Sequence, residues 1–205
     1  MIVVVDYGMG NLKSVLNAFS KLHADVTISS DPDVVRNSPV IVLPGVGAFG
    51  ICMENLQKRG LADAIKEHIR EGKRYLGICL GMQILFESSE EAPGVPGLGI
   101  VRGCVPRFTG SMKIPHMGWN SINIIKDSPT FRGIRSGDFF YFVHSFYCAP
   151  FEPGVVATTT EYGDPFVSSI ETGKVFACQF HPEKSQAVGL RLLQNFLDIA
   201  GDCKT

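Results

Sequence analysis

The feature that most limits the fold is an alternation in the first ninety residues, where short apolar runs take turns with longer stretches of helical periodicity. Ile2–Val5 and residues 26–28, 40–43 and 75–78 are too short for helices and read as buried strands. Between them, Leu12, Val15, Leu16, Phe19 and Leu22 form a helical stripe behind Asn11, a residue suited to cap it. Leu56, Leu61, Ile65 and Ile69 mark a longer helical region interrupted near Gly60. Strands separated by helices pair through crossovers rather than hairpins, which predicts a parallel sheet covered by helices on both faces.

After Glu91 the texture changes. Residues 92–99 are a turn-rich loop, and beyond it lie β-branched and aromatic runs at 100–108, 117–124, 139–143, 155–160, 166–170 and 175–180. These predict antiparallel hairpins added to the sheet. A closing helix carries Val188, Leu192, Leu193, Phe196 and Leu197 on one face. With no repeat, low-complexity tract or dividing linker, residues 1–205 are expected to form one α/β domain with a mostly parallel central sheet.

Charge removes several functions from consideration. Lys and Arg number 19 against 20 Asp and Glu, a net charge of -1, and there is no basic tract. A nucleic-acid platform or a polybasic membrane anchor needs such a tract. The apolar start is too short and lacks the basic leader of a signal peptide, and no run approaches a membrane span. Six cysteines at 52, 79, 104, 148, 178 and 203 show no Cys-x-x-Cys pair and no metal-ligand rhythm. They are expected to be reduced thiols of a cytoplasmic protein, five of them packing or incidental residues. No metal or cofactor is expected.

The sixth is Cys79. Gly77-Ile78-Cys79-Leu80-Gly81 follows the Gly-x-nucleophile-x-Gly pattern, with an apolar strand leading in and 82–86 expected to lead out as a helix. Glycines on both sides would remove the Cβ atoms that crowd a tight strand-to-helix turn. A helix N-terminus favours the thiolate, the reactive form of cysteine. The amide of Leu80, directly after the nucleophile, would be placed to donate to an oxyanion. A buried structural cysteine between turn glycines is the alternative, and the combination of strand, paired glycines and helix favours the nucleophile.

A nucleophile needs a base. Residues 175–180 read as a strand followed by His181-Pro182-Glu183-Lys184-Ser185. A histidine at a strand end stands at the carboxyl edge of the sheet, where open α/β sheets place their sites. Pro182 limits the turn so that Glu183 can reach the imidazole and hold the tautomer that takes the thiol proton. A simple helix start, with proline and glutamate in the first turn, is compatible with the same residues.

A second glycine turn, Pro44-Gly45-Val46-Gly47-Ala48-Phe49-Gly50, fits Gly-x-Gly-x-x-Gly over 45–50. It follows the third strand rather than the first and lacks a ribose-binding acid at a suitable strand end, so dinucleotide binding is rejected. Bare backbone amides approaching a substrate, or a plain strand-to-helix turn, remain as readings.

The elbow at Cys79 and the later His181-Pro182-Glu183 resemble class I glutamine amidotransferases, and the resemblance runs from residue 1 to about 200. It implies that Cys79, His181 and Glu183 form a catalytic triad releasing ammonia from the glutamine side chain through a thioester. It further implies that Val46 or Gly47 joins Leu80 in the oxyanion hole, and that Gln83, His144, Ser145 and Phe146 bind glutamine. Alone at a strand end, His144 would be a second candidate base, ranked below His181 because His181 has a carboxylate partner.

Three further stretches narrow the resemblance: 6–11 (Asp-Tyr-Gly-Met-Gly-Asn), 115–120 (Pro-His-Met-Gly-Trp-Asn) and 141–147 (Tyr-Phe-Val-His-Ser-Phe-Tyr). With 181–185 they are similar to the glutaminase subunits of imidazole glycerol phosphate synthases. That implies a heterodimer with a separate (β/α)8-barrel cyclase, with Asn11, Trp119 and Lys184 at the joint. From the residues alone, Trp119 in a Gly-Trp-Asn turn suits a core or an interface role. Rival functions are a glutaminase subunit of another pathway, a stand-alone cysteine hydrolase of γ-glutamyl peptides, or a non-catalytic binding subunit, which an intact triad disfavours.

Overall fold

The computed structural model describes residues 1–201; Cys203 lies outside the described residues. The first half alternates as expected: β1 (Ile2–Val5), α1 (Leu12–Lys21), β2 (Val26–Ser29), α2 (Pro32–Asn37), β3 (Val40–Gly45), α3 (Phe49–Lys58), α4 (Leu61–Arg70), β4 (Arg74–Cys79) and α5 (Leu80–Gln83). Asn11 caps α1 by accepting from the Ser14 amide at 3.4 Å. Gly60, at φ +69°, separates α3 from α4 by adopting the left-handed conformation a glycine tolerates best. The second half holds β5 (Ser88–Ser89), β6 (Gly103–Val105), β7 (His116–Ser121), β8 (Asn123–Ile124), β9 (Phe139–His144), β10 (Ala149–Pro150), β11 (Val156–Tyr162), β12 (Asp164–Thr172), β13 (Val175–Cys178) and α6 (Gln186–Gly201).

The central sheet runs β2-β1-β3-β4-β13-β12-β11-β8. From β2 to β13 the pairings are parallel, and β12, β11 and β8 extend the sheet antiparallel. Alternation along the strands divides the core in two. Val3, Val5, Ile41, Leu43 and Tyr75 point to the face covered by α3 and α4. Ile2, Val4, Val42, Leu76 and Ile78 point to the face covered by α1 and α6, where Phe19, Leu192, Leu193 and Phe196 are buried. Helices therefore cover both faces.

Three expectations are corrected. First, the antiparallel segments do not all join the sheet: β7 and β9 form a two-stranded ribbon, and β10, β6 and β5 a three-stranded sheet. The ribbon lays its apolar face on the sheet instead of extending an edge, with the Phe140 and Phe180 ring centroids 4.2 Å apart. Second, Trp119 lies within β7 and not in a turn. Third, the helix after Cys79 is a single turn, 80–83, and does not continue through 86. The carbonyls of Ile84, Leu85, Phe86 and Glu87, which a longer helix would use, accept from the amides of 97–101. A Cβ at Gly97 would collide with the Phe86 carbonyl oxygen, so this close approach requires glycine.

Candidate active site

Three neighbouring parallel strands bring the sequence-derived residues to one edge. β3 ends at Gly45 and leads into Val46 and Gly47, β4 ends at Cys79, and the chain leaving β13 reaches His181 three residues later. Gly45 and Cys79 are register partners, as are Ile78 and Cys178. Parallel pairing is what lets residues about 35 and 100 positions apart meet, because all three chains exit at the carboxyl edge.

Cys79 has φ +54° and ψ -105°, a conformation that costs a non-glycine residue of order 1–3 kcal/mol and is held only by its surroundings. Those surroundings depend on glycine. A Cβ on Gly77 would lie 2.5 Å from the Gly81 carbonyl oxygen, and one on Gly81 would collide with the Leu43 carbonyl oxygen. The Tyr75 hydroxyl donates to that same Gly81 oxygen at 2.6 Å and pins the turn.

His181 is almost wholly buried, and its Nδ1 meets Glu183 Oε1 at 2.8 Å. Its Nε2 is buried with no hydrogen bond of normal length, which leaves it to Cys79. Burial alone would lower the His181 pKa, but the neighbouring Cys79 sulfur and the Glu183 carboxylate raise it to about 10. The turn is locked from behind. Ser185 Oγ donates to the His181 carbonyl at 2.7 Å and accepts from the Tyr141 amide at 3.0 Å, while the His181 amide donates to the Tyr141 carbonyl at 2.9 Å. An imidazole held between the Cys79 sulfur and a carboxylate, with its proton affinity raised, can deliver a proton to a leaving amine and later take one from water.

A cavity of about 480 Å³ opens over Cys79. Val46, Gly47 and Leu80 line it, together with Gln83, His144, Ser145 and Phe146. Lys184 also lines it, with its ammonium 5.8 Å from the centroid of the Tyr141 ring. Tyr141 also meets Trp119 edge-on at 6.1 Å, so Trp119, Tyr141 and Lys184 form one row beside the cavity. Asn11 stands apart from that row, at the start of α1 with its side chain engaged in capping.

His144 takes a different role from that of a base. Its Nδ1 donates to the Phe146 carbonyl at 2.8 Å, so its Nε2 is the acceptor for His116 Nδ1 at 2.9 Å, and His116 Nε2 accepts from Asn120 at 3.2 Å. The chain Asn120, His116, His144, Phe146 carbonyl is thus directional and neutral throughout. Burial drives His144 down to about 3 and His116 to about 4. Neither ring nitrogen of His144 is free for a substrate; the residue instead fixes the shape of 144–146.

Two residues escaped the sequence reading. Among the described residues Glu91 is the one carboxylate lining the cavity, and its Oε2 accepts from the Phe49 amide at 2.7 Å, capping α3 from a loop 42 residues away. Nothing in its spacing announces this. Gln179 donates through Nε2 to Cys79 Sγ at 3.4 Å. A signal for it existed, since residues 179 and 181 share one side of an extended chain.

Five cysteines fall within the described residues, and all are free. Burial pushes the Cys52 thiol up to about 12 and raises those of Cys148 and Cys178 as well, which makes them poor nucleophiles. Among the described residues, no group of three His, Cys, Asp or Glu side chains is arranged to hold a metal ion. No described helix is long and apolar enough to cross a membrane.

A cysteine elbow, a histidine–carboxylate pair and a glycine turn on adjacent strand ends define a class, and comparison with known proteins agrees. The class-I glutamine amidotransferase family model matches residues 3–200, and the chain belongs to that family. Within it, the chain is 48% identical over 206 residues to the imidazole glycerol phosphate synthase subunit HisH of Syntrophotalea carbinolica, covering 97% of this chain and all of that one. It is 51% identical to the protein of the same name from Aquifex aeolicus, covering 95% and 94% of the two chains. Among solved structures, a glutamine amidotransferase superposes with a TM-score of 0.78 at 22% identity, over 98% of this chain and all of the other. The Thermotoga maritima PurLQS structure gives 0.74 at 18%, over 97% of each chain. At those identities the structures speak for the fold alone.

Proposed function

We propose that the chain is the glutaminase subunit of an imidazole glycerol phosphate synthase, acting in the cytoplasm in histidine biosynthesis. Cys79 attacks the side-chain amide carbon of glutamine, forming a C–S bond and a tetrahedral oxyanion. The Leu80 amide and that of Val46 or Gly47 donate to this oxygen. His181 gives its proton to the amide nitrogen, the C–N bond breaks and ammonia departs, leaving a glutamyl thioester. His181 then takes a proton from water as it attacks the thioester; collapse of the adduct breaks the C–S bond and releases glutamate, and His181 can return its proton to the Cys79 sulfur. Glu183 holds the imidazole tautomer without carrying the proton. Glu91, as the carboxylate of the cavity, pairs with the α-ammonium of glutamine, and residues 144–146 hold its main-chain end.

Ammonia passes to a separate (β/α)8-barrel cyclase docked over the cavity mouth, with Asn11, Trp119 and Lys184 at the joint. Chemistry favours a sealed transfer: free ammonia is protonated in neutral water, and ammonium is not a nucleophile. The observation that carries the reading is the cavity of about 480 Å³, which brings Cys79, Leu80, Gln83 and Glu91 together beside the His181–Glu183 pair.

The test is covalent labelling with a glutamine-mimicking electrophile, read by peptide mass spectrometry, beside hydrolysis assays on a panel of amides. Labelling at Cys79 alone and turnover of glutamine but not γ-glutamyl peptides is the expected result. Loss of activity with Cys79 unlabelled would sink the assignment. Cys79→Ser should fold, lose glutamine-dependent synthesis and keep synthesis from added ammonia with the cyclase.

A further inference from the structure

The short helix after Cys79 raises a question about the sulfur. Four residues carry little macrodipole, so α5 contributes little at the sulfur, and the groups that touch it matter more. Gln179 is such a group. Its side chain is fully buried, its Nε2 donates to Cys79 Sγ at 3.4 Å, and its Oε1 accepts from Gln83 Nε2 at 3.0 Å. The other Gln83 N–H donates to the Phe146 carbonyl at 3.1 Å. The Gln179 backbone N–H donates to the Ser168 carbonyl at 2.8 Å, anchoring the residue in the sheet.

Only one orientation of the Gln179 amide satisfies both neighbours. Flipped, it would set its NH2 against the NH2 of Gln83 and its oxygen against the sulfur. Both faults are costly where no water can intervene. Gln83 therefore fixes the rotamer, and that rotamer presents a donor to sulfur. A donor stabilises an anion more than a neutral thiol, so the arrangement biases the sulfur towards the reactive form.

We propose that Gln179 is a positioning residue for the amidotransferase reaction: it holds the Cys79 thiolate and, through Gln83, ties the sulfur to the cavity that receives glutamine. The inference rests on the reading of Cys79 as nucleophile. A link of this kind sets the sulfur on the line of attack before substrate arrives, and it joins two residues 96 positions apart by one side-chain bond.

The test follows alkylation of Cys79 by iodoacetamide against pH in the full-length chain, read on the Cys79 peptide, together with glutamine hydrolysis. Gln179→Met keeps the volume and removes the donor; Gln179→Asn keeps the amide but withdraws it from sulfur. In both, the alkylation midpoint should rise by about half a pH unit or more, which is about threefold in thiolate fraction at a fixed lower pH. The kcat should fall about tenfold with KM for glutamine within about twofold. A midpoint unchanged in either folded variant, or a loss confined to KM, overturns the proposal. A parent protein in which Cys79 is not the alkylated thiol overturns the functional reading instead.

Should both variants fail to fold, the bond is read in the unsubstituted chain. The side-chain ¹⁵N–¹H resonances of Gln179 should titrate with the alkylation midpoint and lose that titration in Cys79→Ser. Resonances indifferent to both overturn the proposal.

Discussion

Gly45 and Cys79 are direct partners in the register between β3 and β4, so the glycine turn and the elbow are held side by side by the hydrogen bonding of the sheet. A Cβ on Gly45 would stand 2.5 Å from Leu80 Cβ and 3.1 Å from the Gly81 nitrogen. Glycine at 45 is thus a condition for bringing Val46 and Gly47 near the amide of Leu80.

Gly45→Ala should accordingly push the two turns apart. We expect a loss of about 1–3 kcal/mol in stability from overpacking. Hydrolysis of glutamine should fall by about 10²-fold or more as one oxyanion donor moves out of reach. Chemical denaturation beside steady-state kinetics separates the two effects. A fully active Gly45→Ala enzyme would remove this turn from the oxyanion hole.

Glu183→Gln keeps the shape of the pair but presents an amide to His181 Nδ1. Without the carboxylate the imidazole loses its fixed tautomer, and turnover should drop by about 10²-fold or more. Cys79 should remain open to alkylation. Full activity would mean that another carboxylate, or a Cys–His dyad, does the work.

The His116–His144 pair predicts acid sensitivity. Both residues are held below the ordinary histidine value of about 6.5 by burial, to about 4 and about 3. The unfolded chain therefore binds more protons between about pH 6.5 and 3, and the stability these residues contribute above pH 6.5 is lost as pH falls. The melting temperature should drop by about 5 °C or more between pH 7 and pH 4.5. His116→Gln, which can still donate to His144, should flatten that slope. His181 has the opposite sign: raised to about 10, its contribution is complete below about pH 6.5 and fades as pH rises through about 10.

Trp119 is 46% exposed on the ribbon beside the cavity, and Lys184 shares Tyr141 with it. If this row meets the cyclase, Trp119→Ala should weaken association by about 2 kcal/mol, as truncation of an interface aromatic does. Lys184→Ala should reduce glutamine-driven synthesis and spare the ammonia-driven reaction. With amide-labelled ¹⁵N-glutamine in excess unlabelled ammonium, the product nitrogen of the parent complex should be almost wholly labelled. Dilution to the bulk ratio would rule out a sealed joint.

Much of the site was legible because its chemistry is local in sequence. Gly77, Cys79 and Gly81 announce a turn whose collisions the structure makes explicit, and Glu183 reaches His181 across one proline. The unbroken apolar runs of β1 and β3 likewise implied strands covered on both faces, as they are. The helix after Cys79 ends at 83 although the apolar residues 84–86 suit a helix, because their carbonyls bond to amides of 97–101. Local propensity lost there to a tertiary bond.

By itself, then, the sequence determined the alternating elements, the elbow and the His-Pro-Glu turn, all of which depend on residues a few positions apart. Only the tertiary structure decided that Gln179 reaches Cys79 across 100 residues, that Glu91 caps α3 and faces the cavity, and that His116 donates to His144. Spacing along a chain encodes which side of a strand a residue faces. It does not encode which strand lies next to it. That depends on the order β3-β4-β13, and the order is fixed by how the whole apolar surface is buried.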